Sequence, residues 1–455
     1  MQSREEVSVV EKVKKRGGRG PVRVAVIGWG TIGSGVIKLL REGQARLSAR
    51  LGHPIELARV VDIDVRRKRE VKVPKSLLSK DAAQVINDPN IDVIVELMGG
   101  LEPARTFVRQ AIEQGKAVVT ANKALLAHHG PELFRAAESR GSGFGFEAAV
   151  GGGIPIIRTL REGLGSDRNS AVFGIVNGTA NYILSTMEAE GRTFQDVLSA
   201  AQADGLAEAD PTYDVEGIDA AHKLTLLIQL AFGARVPLNA VHTEGIRLVD
   251  AIDMQFARDL GYTIKLLAIG KDHGAAGIEA RVHPTMIPGT DPLANVNGAF
   301  NAVCVHGDAL DRSMYYGLGA GMMPTATAVV ADVLDVARDR LTGRARLEPL
   351  GFPVRSLRKA RVRPIGDISS EFYLRFDAKD EPGVLADIAG DLGRNGISIA
   401  SVVQSERRSR GRVPVIIRTH DARERDLRRA LARVSRRSRV GRSPVAIRIE
   451  QDVGA

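Results

Sequence analysis

The chain has 455 residues, a formal net charge of +10, and 44% hydrophobic and 26% charged residues, the composition of an ordinary globular protein of two or three domains, which excludes a disordered or fibrous chain. Its one cysteine, Cys304, excludes an intrachain disulfide and fits a reducing, cytoplasmic compartment. The longest apolar run, Leu224 to Phe232, is about half the roughly 20 residues that cross a bilayer, so no membrane span is expected. A diffuse basic excess with only 4% aromatic residues argues against nucleic acid as the main partner.

In chain order, residues 1–20 have charge on both sides of a weak apolar patch and no signal-peptide core, the pattern of a flexible tail. VRVAVIG, Val22 to Gly28, is a continuous apolar run ending in glycine, as in a buried parallel strand, and a helix follows it. Ile55 to Asp64 and Ile91 to Gly100 read as further strands, Ser79 to Asn87 and Pro103 to Gln114 as helices, and Ala117 to Leu126 as a strand with its exit turn. This alternation predicts a doubly wound α/β sheet of Rossmann type over residues 21–145, completed by a returning helix at about 322–342.

From about residue 145 the rhythm changes. Glycine-rich FEAAVGGGIP, then NSAVFGIVNGT and several helices, predict a second, α+β substrate domain over 146–321. Residues 343–369, rich in Pro, Gly and Arg, read as a linker. Residues 370–452 then run in the order βαββαβ, a ferredoxin-like unit.

Between the first strand and its helix, Gly28, Gly30 and Gly33 form GxGxxG. In that context the first glycine permits the tight turn, the second admits a pyrophosphate to the backbone, and the third allows helix and strand to pack closely. The helix opening at Thr31 and Ile32 then offers its N–H groups to the phosphates. The second strand ends in Asp62 and Asp64, either of which could accept from an adenosine ribose and favour NAD. Arg66, Arg67, Lys68 and Arg69 follow at once and could hold the 2′-phosphate of NADP, or simply form a solvated turn.

GLAEADPTYDVEGIDAAHK, residues 205–223, places Glu208, Asp210, Asp214, Glu216 and Asp219 in a short stretch of a basic chain. Asp219 and Lys223 stand at i and i+4, which in an exposed helix would be an ordinary surface pair worth roughly 0.3–0.5 kcal/mol. Here LTLLIQLAF follows directly, so the pair sits where the helix enters a core. Charge there is costly without a partner. A small amino-acid substrate needs a carboxylate for its ammonium, and an alcohol giving up hydride needs a base for its hydroxyl proton. A lysine can be that base if its surroundings lower its pKa. Lys123, after a sheet strand in TANKALL, is a candidate second cation.

These stretches carry a resemblance. VIGWGTIG, VELMGG, TANKALLA, FEAAVGGGIP, NGTANYIL, GLAEADPTYDVEGIDAAHK and GLGAG, in this order from Val22 to the linker, resemble homoserine dehydrogenase, and DEPGVLADIAGDLGRNGISIASVVQ resembles an ACT regulatory domain. The resemblance implies reversible NAD(P)-dependent interconversion of L-homoserine and L-aspartate 4-semialdehyde, a step toward threonine, methionine and isoleucine. It makes Lys223 the acid/base, Glu208 and Asp219 holders of the substrate, Asp214 their support, and Lys123 a neighbour of cofactor and substrate, while Asp210 and Glu216 shape the loop or face water. Asn177, Gly178 and Thr179 would open a helix toward an anion or cofactor edge, or act as an ordinary cap. Thr120, Ala121, Gly205, Gly319 and Gly321 would approach the cofactor. Glu147 and the carbonyls of Val150, Gly152 and Ile154 would surround Na+. The ACT domain, through Asp380, Pro382, Gly383 and Gly396, implies L-threonine as effector or else a purely dimerising role, in a homodimer or homotetramer. A related reductase with another substrate loop, or a silent amino-acid sensor, are the alternatives; the 205–223 segment disfavours the first and the retention of Lys123 and Lys223 the second.

Overall fold

A computed structural model of the chain describes residues 20–343, 348–404, 411–441, 444–451 and 453; the expected tail lies outside the described residues, apart from Gly20. In chain order the elements used below are β1 (Val22–Ile27), α1 (Thr31–Glu42), β2 (Ile55–Val61), β3 (Leu78–Ser79), β4 (Val93–Glu96), β5 (Ala117–Thr120), α2 (Lys123–Arg140), β6 (Phe144–Gly145), β7 (Asn169–Ile175), α3 (Gly178–Glu190), α4 (Ile218–Phe232), β8 (Ala234–Arg235) and β9 (His242–Thr243). They continue with α5 (Ala251–Asp259), β10 (Tyr262–Asp272), β11 (Ile278–Pro288), β12 (Phe300–Gly307), β13 (Asp311–Leu318), α6 (Met322–Thr342), β14 (Arg358–Lys359), β15 (Ser369–Lys379), α7 (Val384–Arg394), β16 (Ile399–Gln404), β17 (Arg412–Thr419), β18 (Ala422–Arg423), α8 (Glu424–Val434) and β19 (Val445–Ile449). The chain divides into two compact units, the first made of residues up to 169 with 225–238 and 315–359, the second of 170–224, 239–314 and 360–455.

In the first unit the strands lie in the order β3-β2-β1-β4-β5-β6, all parallel. The order reverses between β1 and β4, so the ends of these two strands open the crevice in which such sheets bind ligands. β1 is apolar on both faces because both are covered: Val24, Val26, Val93 and Val95 share one core with Ile37 and Leu40 of α1 and Val329 and Val333 of α6, and Ala25 and Ile27 on the opposite face are buried as well. The late helix α6 therefore belongs to this sheet. It meets α1 at Gly35, where a Cβ would lie 2.8 Å from the Met322 carbonyl oxygen and 2.9 Å from the Ala326 methyl.

In the second unit the strands run β13-β12-β7-β10-β11-β19-β15-β17-β16. Its last four, taken in their own chain order, are strands 4-1-3-2 of the βαββαβ segment, with α7 and α8 between them. Phe372, Leu374 and Phe376 alternate along β15 and pack with Ile388 and Leu392 of α7 and Leu427 and Val434 of α8. This is the ferredoxin-like arrangement of an ACT domain. Its final strand β19 is antiparallel to β15 on one side and parallel to β11 on the other, through Thr285↔Arg448 and Met286↔Ile449, so the C-terminal segment continues the sheet of the preceding domain. The stretch expected to be a plain linker is also anchored. Leu350 and Val354 are buried, and Arg358–Lys359 pairs with β8, because apolar residues are interspersed among its Pro, Gly and Arg.

Candidate active site

The glycine turn lies in the first unit. Gly28 has φ +105°, and a Cβ there would stand 2.6 Å from the Leu97 carbonyl, so only glycine fits between the ends of β1 and β4. At Gly33 a Cβ would stand 2.0 Å from the Gly28 oxygen, the close helix-strand contact that the third glycine permits. Gly30 differs: nothing lies within 4 Å of the place its Cβ would take. That open space faces the start of α1, where Gly30 is the N-cap and no side chain caps the helix, leaving the first-turn N–H groups from Thr31 and Ile32 onward to a ligand. A cradle that a Cβ would fill, beside uncapped donors, fits a pyrophosphate.

Asp62 is bound into this turn. Its carboxylate accepts from the Trp29 amide at 2.8 Å and the Asp64 amide at 2.9 Å and pairs with Arg69 at 2.9 Å. Arg69 in turn covers the Trp29 ring at 4.4 Å and donates to the Trp29 carbonyl at 2.5 Å. The basic run is thus divided: Arg69 braces the turn, while Arg66, Arg67 and Lys68 are exposed.

Glu96 had no role in the sequence reading, though an acid inside the apolar strand IDVIVELMGG was a signal. It is fully buried at the end of β4 and accepts from the Thr120 hydroxyl at 2.6 Å and the amides of Met98 and Gly99 at 2.8 and 3.3 Å. Burial pushes its carboxyl up, and the Thr120 hydroxyl and the two amides pull it down. Thr120 therefore has its hydroxyl turned to Glu96. Thr120 also accepts from the Asn122 amide at 3.0 Å, and Asn122 caps α2 through Leu125 while donating to the Gly100 carbonyl at 2.7 Å. Lys123, half-buried, is the first residue of the helix fixed in this way. Ala121 lies in the same turn, and Gly321 is the N-cap of α6.

Glu147 begins a short turn after β6. Its carboxylate oxygens accept from the Ile157 and Arg158 amides at 2.8 and 2.9 Å, and its own amide donates to Asp332 at 2.7 Å. Ile154 gives its carbonyl to the Ile156 amide at 2.8 Å, and at Gly152 a Cβ would lie 2.3 Å from the Gly319 oxygen. The Glu147 side chain is thus engaged by amide donors, so a cation here would have to be met by backbone carbonyls. Among the described residues, no group of three or more His, Cys, Asp or Glu is arranged to hold a metal ion.

The lysine-carboxylate constellation lies in the second unit. The Lys223 nitrogen donates to Asp219 at 2.7 Å and to the Val176 carbonyl at 2.6 Å. Asp219 also accepts from the Asn177 amide nitrogen at 2.9 Å, and the same nitrogen donates to Asp214 at 2.7 Å. The oxygen of Asn177 caps α3 through the Ala180 amide at 2.8 Å. One asparagine therefore joins two carboxylates to the helix of NGTANYIL, a role beyond the cap that the sequence reading assigned it. The arrangement depends on Gly217, whose φ of +78° ends the short helical turn Thr212–Val215 and starts α4 afresh at Ile218.

Tyr213 and His222 make a further hydrogen bond beside the network. Burial, followed by the charges of Asp219 and Asp214, pushes the Tyr213 hydroxyl up to about 12, so it stays protonated. Glu208 stands exposed on the loop after Gly205, near Asp210, which accepts from the Thr212 amide at 3.1 Å and shapes the loop. Glu216 pairs with Arg247.

Comparison with known proteins completes the description. A family model described as homoserine dehydrogenase matches residues 155–334, another described as the NAD binding domain of homoserine dehydrogenase matches 28–147, and an ACT domain model matches 372–437. A homoserine dehydrogenase of Pseudomonas aeruginosa is 46% identical over 434 residues, 95% of this chain and 99% of its own. One of Neisseria gonorrhoeae is 43% identical over 431 residues, 94% of this chain and 99% of its own. A crystal structure of a homoserine dehydrogenase from Thiobacillus denitrificans has a TM-score of 0.89 at 44% identity, covering 95% of this chain and 99% of that one. One from S. aureus has a TM-score of 0.74 at 31% identity over 94% and 99%. Among the described residues no helix is long and apolar enough to cross a membrane.

Proposed function

The chain belongs to the homoserine dehydrogenase family, with an NAD(P)-binding domain and an ACT domain, and from that premise we propose how its residues carry out the reaction. L-Homoserine and L-aspartate 4-semialdehyde are the substrate pair, in the synthesis of threonine, methionine and isoleucine. A bound nicotinamide would supply or accept the hydride exchanged at the substrate's C4 carbon. Lys223 handles the proton on the oxygen of that carbon. The observation that carries this is the buried Lys223–Asp219 pair, 2.7 Å apart, joined to Asp214 through Asn177.

A carboxylate at that distance favours the ammonium form of lysine. In the reducing direction Lys223 is then ready to give a proton to the aldehyde oxygen as hydride arrives, and in the oxidising direction its neutral amine, having first released its proton to solvent, takes the hydroxyl proton. Asp219 orients the lysine and, with exposed Glu208, holds the substrate, Glu208 through its ammonium. Asp214 supports the network. Lys123, fixed at the start of α2, adds positive charge near the cofactor.

On the nucleotide, Gly28, Gly30 and Gly33 with Thr31 and Ile32 receive the pyrophosphate. The occupied carboxylate of Asp62 and the exposed Arg66 favour NADP, which carries a 2′-phosphate, over NAD. Backbone groups of Thr120 and Gly321, in the same unit, line the rest. Any Na+ held by the turn containing Glu147, Val150, Gly152 and Ile154 is met by carbonyl oxygens and has a structural role. L-Threonine is the proposed ACT effector, in a cytoplasmic homodimer or homotetramer.

The test is the near-ultraviolet absorbance of reduced nicotinamide, followed with homoserine and either NAD or NADP, with and without threonine. Homoserine-dependent reduction, faster with NADP, is expected. A folded protein that reduces neither nucleotide would end the proposal.

A further inference from the structure

The C-terminal domain reaches the 212–217 loop through side chains that the mechanism does not use. Arg448 on β19, 3% exposed, donates to both oxygens of Glu244 at 2.7 and 2.9 Å and to both oxygens of Glu424 at 2.9 and 2.7 Å. Glu424 is the first residue of α8, and Arg428, one turn on, bonds Glu424 at 2.8 Å and Glu244 at 3.1 Å. Burial acts to raise the Glu244 carboxyl, but hydrogen bonds from His242 and Arg448 hold it well below the usual carboxylate range. Two paired carboxylates on one buried guanidinium make a rigid clamp, since either charge left alone would be costly.

Glu244 begins a strap that lies on the loop. At Gly245 a Cβ would stand 2.4 Å from a Glu216 carboxylate oxygen and 2.6 Å from the Val215 carbonyl oxygen. The Ile246 amide donates to Val215 at 2.9 Å, and Arg247 bonds Glu216 and, at 3.5 Å, Thr212. Gly217 itself packs on Val282 of β11 and Thr243 of β9. The segment 244–247 is thus held at one end by the C-terminal domain and at the other touches the turn that presents Asp214 and leads into Asp219.

We propose that Arg448 is a positioning residue for the substrate: by clamping Glu244 to α8 it sets the 244–247 strap, and the strap sets the loop that presents Asp214 and Asp219. This rests on the reading of residues 205–223 as the substrate site. In that arrangement the C-terminal domain is a structural part of the substrate pocket, and any movement of α8 is passed to the loop by a short series of contacts.

The experiment measures kcat, the KM for homoserine, the KM for the nicotinamide nucleotide and the melting temperature in the full chain and in the Glu244→Gln, Arg448→Lys and Arg247→Ala variants. Glu244→Gln and Arg247→Ala are expected to raise the homoserine KM by roughly tenfold, with kcat and the nucleotide KM within about twofold of the parent. Arg448→Lys, which keeps the charge but loses the fork, is expected to fall between. Folded variants with an unchanged homoserine KM, or with both KM values raised alike, overturn the proposal. Arg247 is exposed, so its truncation leaves the core intact and decides the matter alone if the buried variants do not fold. A parent enzyme inert toward homoserine would bring down the functional reading and this one with it, whereas an active parent with unmoved variants overturns only the strap.

Discussion

The Lys223 nitrogen lies 2.7 Å from an oxygen of Asp219, one turn earlier on the same helix, and both residues are buried. On an exposed helix such a pair contributes about 0.3–0.5 kcal/mol; taken out of water it offers little stability and often less than an apolar pair would. The proposed proton transfer would account for its place at the entry of an apolar helix. Lys223→Ala should lower kcat by about 10²- to 10⁴-fold while nucleotide binding, measured by the fluorescence of the reduced form, stays near that of the parent. Turnover within a few-fold of the parent would remove Lys223 from the acid/base role.

Asn177 offers a sharper test of the network, because its two functions can be separated. Asn177→Asp keeps an acceptor for the Ala180 amide and so keeps the cap, whose complete loss would cost about 1 kcal/mol. It also replaces the donor shared by Asp214 and Asp219 with a third carboxylate. The expected result is a helix content like the parent's, with homoserine KM raised by at least about tenfold from the lost charge-assisted bonds. If the KM is unchanged, Asn177 is only a cap.

Glu208 makes the opposite case. Its side chain is exposed, so Glu208→Ala should leave the melting temperature within about 1 °C of the parent, as surface changes usually do. If Glu208 meets the substrate ammonium, the homoserine KM should rise roughly 10- to 100-fold. A fall in thermal stability with the KM unchanged would make the residue structural.

What could be read from the chain and what could not divide along physical lines. The glycine turn, the strand and helix alternation and the i, i+4 pair of Asp219 and Lys223 are local patterns, and each is legible because a few neighbouring residues determine it. Asn177 was readable as a helix cap for the same reason. That its nitrogen joins Asp214 to Asp219 depends on which elements pack together, and nothing local encodes it. Glu96 signalled itself only as a charge in an apolar strand; its partners at Thr120 and Met98 come from two different strand ends. The parallel pairing of β19 with β11 was hidden most deeply, since a βαββαβ segment reads the same whether its edge strand is free or paired. In the stretch read as a linker, Pro, Gly and Arg outnumber the apolar residues, so the burial of Leu350 and Val354 within it was not legible.

Asp332 should make the stability of the first unit depend on pH. Burial, and then the charge of Glu147, pushes its carboxyl up to about 7 from an ordinary value of 3.8, against the Glu147 amide and the arginines Arg161 and Arg158. Between those two values the folded chain holds a proton that the unfolded chain has released. Its contribution is therefore fully present below about pH 4 and is lost as pH rises through about 7. Asp332→Asn, which can still accept from the Glu147 amide, should raise the melting temperature by about 3–6 °C at pH 8 and by roughly a third as much at pH 5. Equal effects at both pH values would show that the carboxyl does not titrate in this range.

The pairing of β19 with β11 predicts what happens when the C-terminal segment is removed. Arg281, 2% exposed on β11, donates to Glu450 at 2.8 Å, and Lys271 on β10 donates to the same carboxylate at 2.6 Å. A chain ending at Lys359 would lose Glu450, uncover the Thr285–Met286 edge of β11, and strip Glu244 of Arg448. Leaving one partner of a buried pair costs about 3–5 kcal/mol, and an uncovered apolar strand edge invites aggregation. The truncated chain should therefore appear in the insoluble fraction, or as a soluble species without cooperative unfolding in circular dichroism. A second variant, Glu450→Gln in the full chain, separates the causes: it keeps the strand and removes only the charge, and should melt several degrees below the parent while remaining soluble. A truncated chain that folds cooperatively and oxidises homoserine at the parent's rate would show that the ACT segment is an accessory to the sheet, with no part in holding it together.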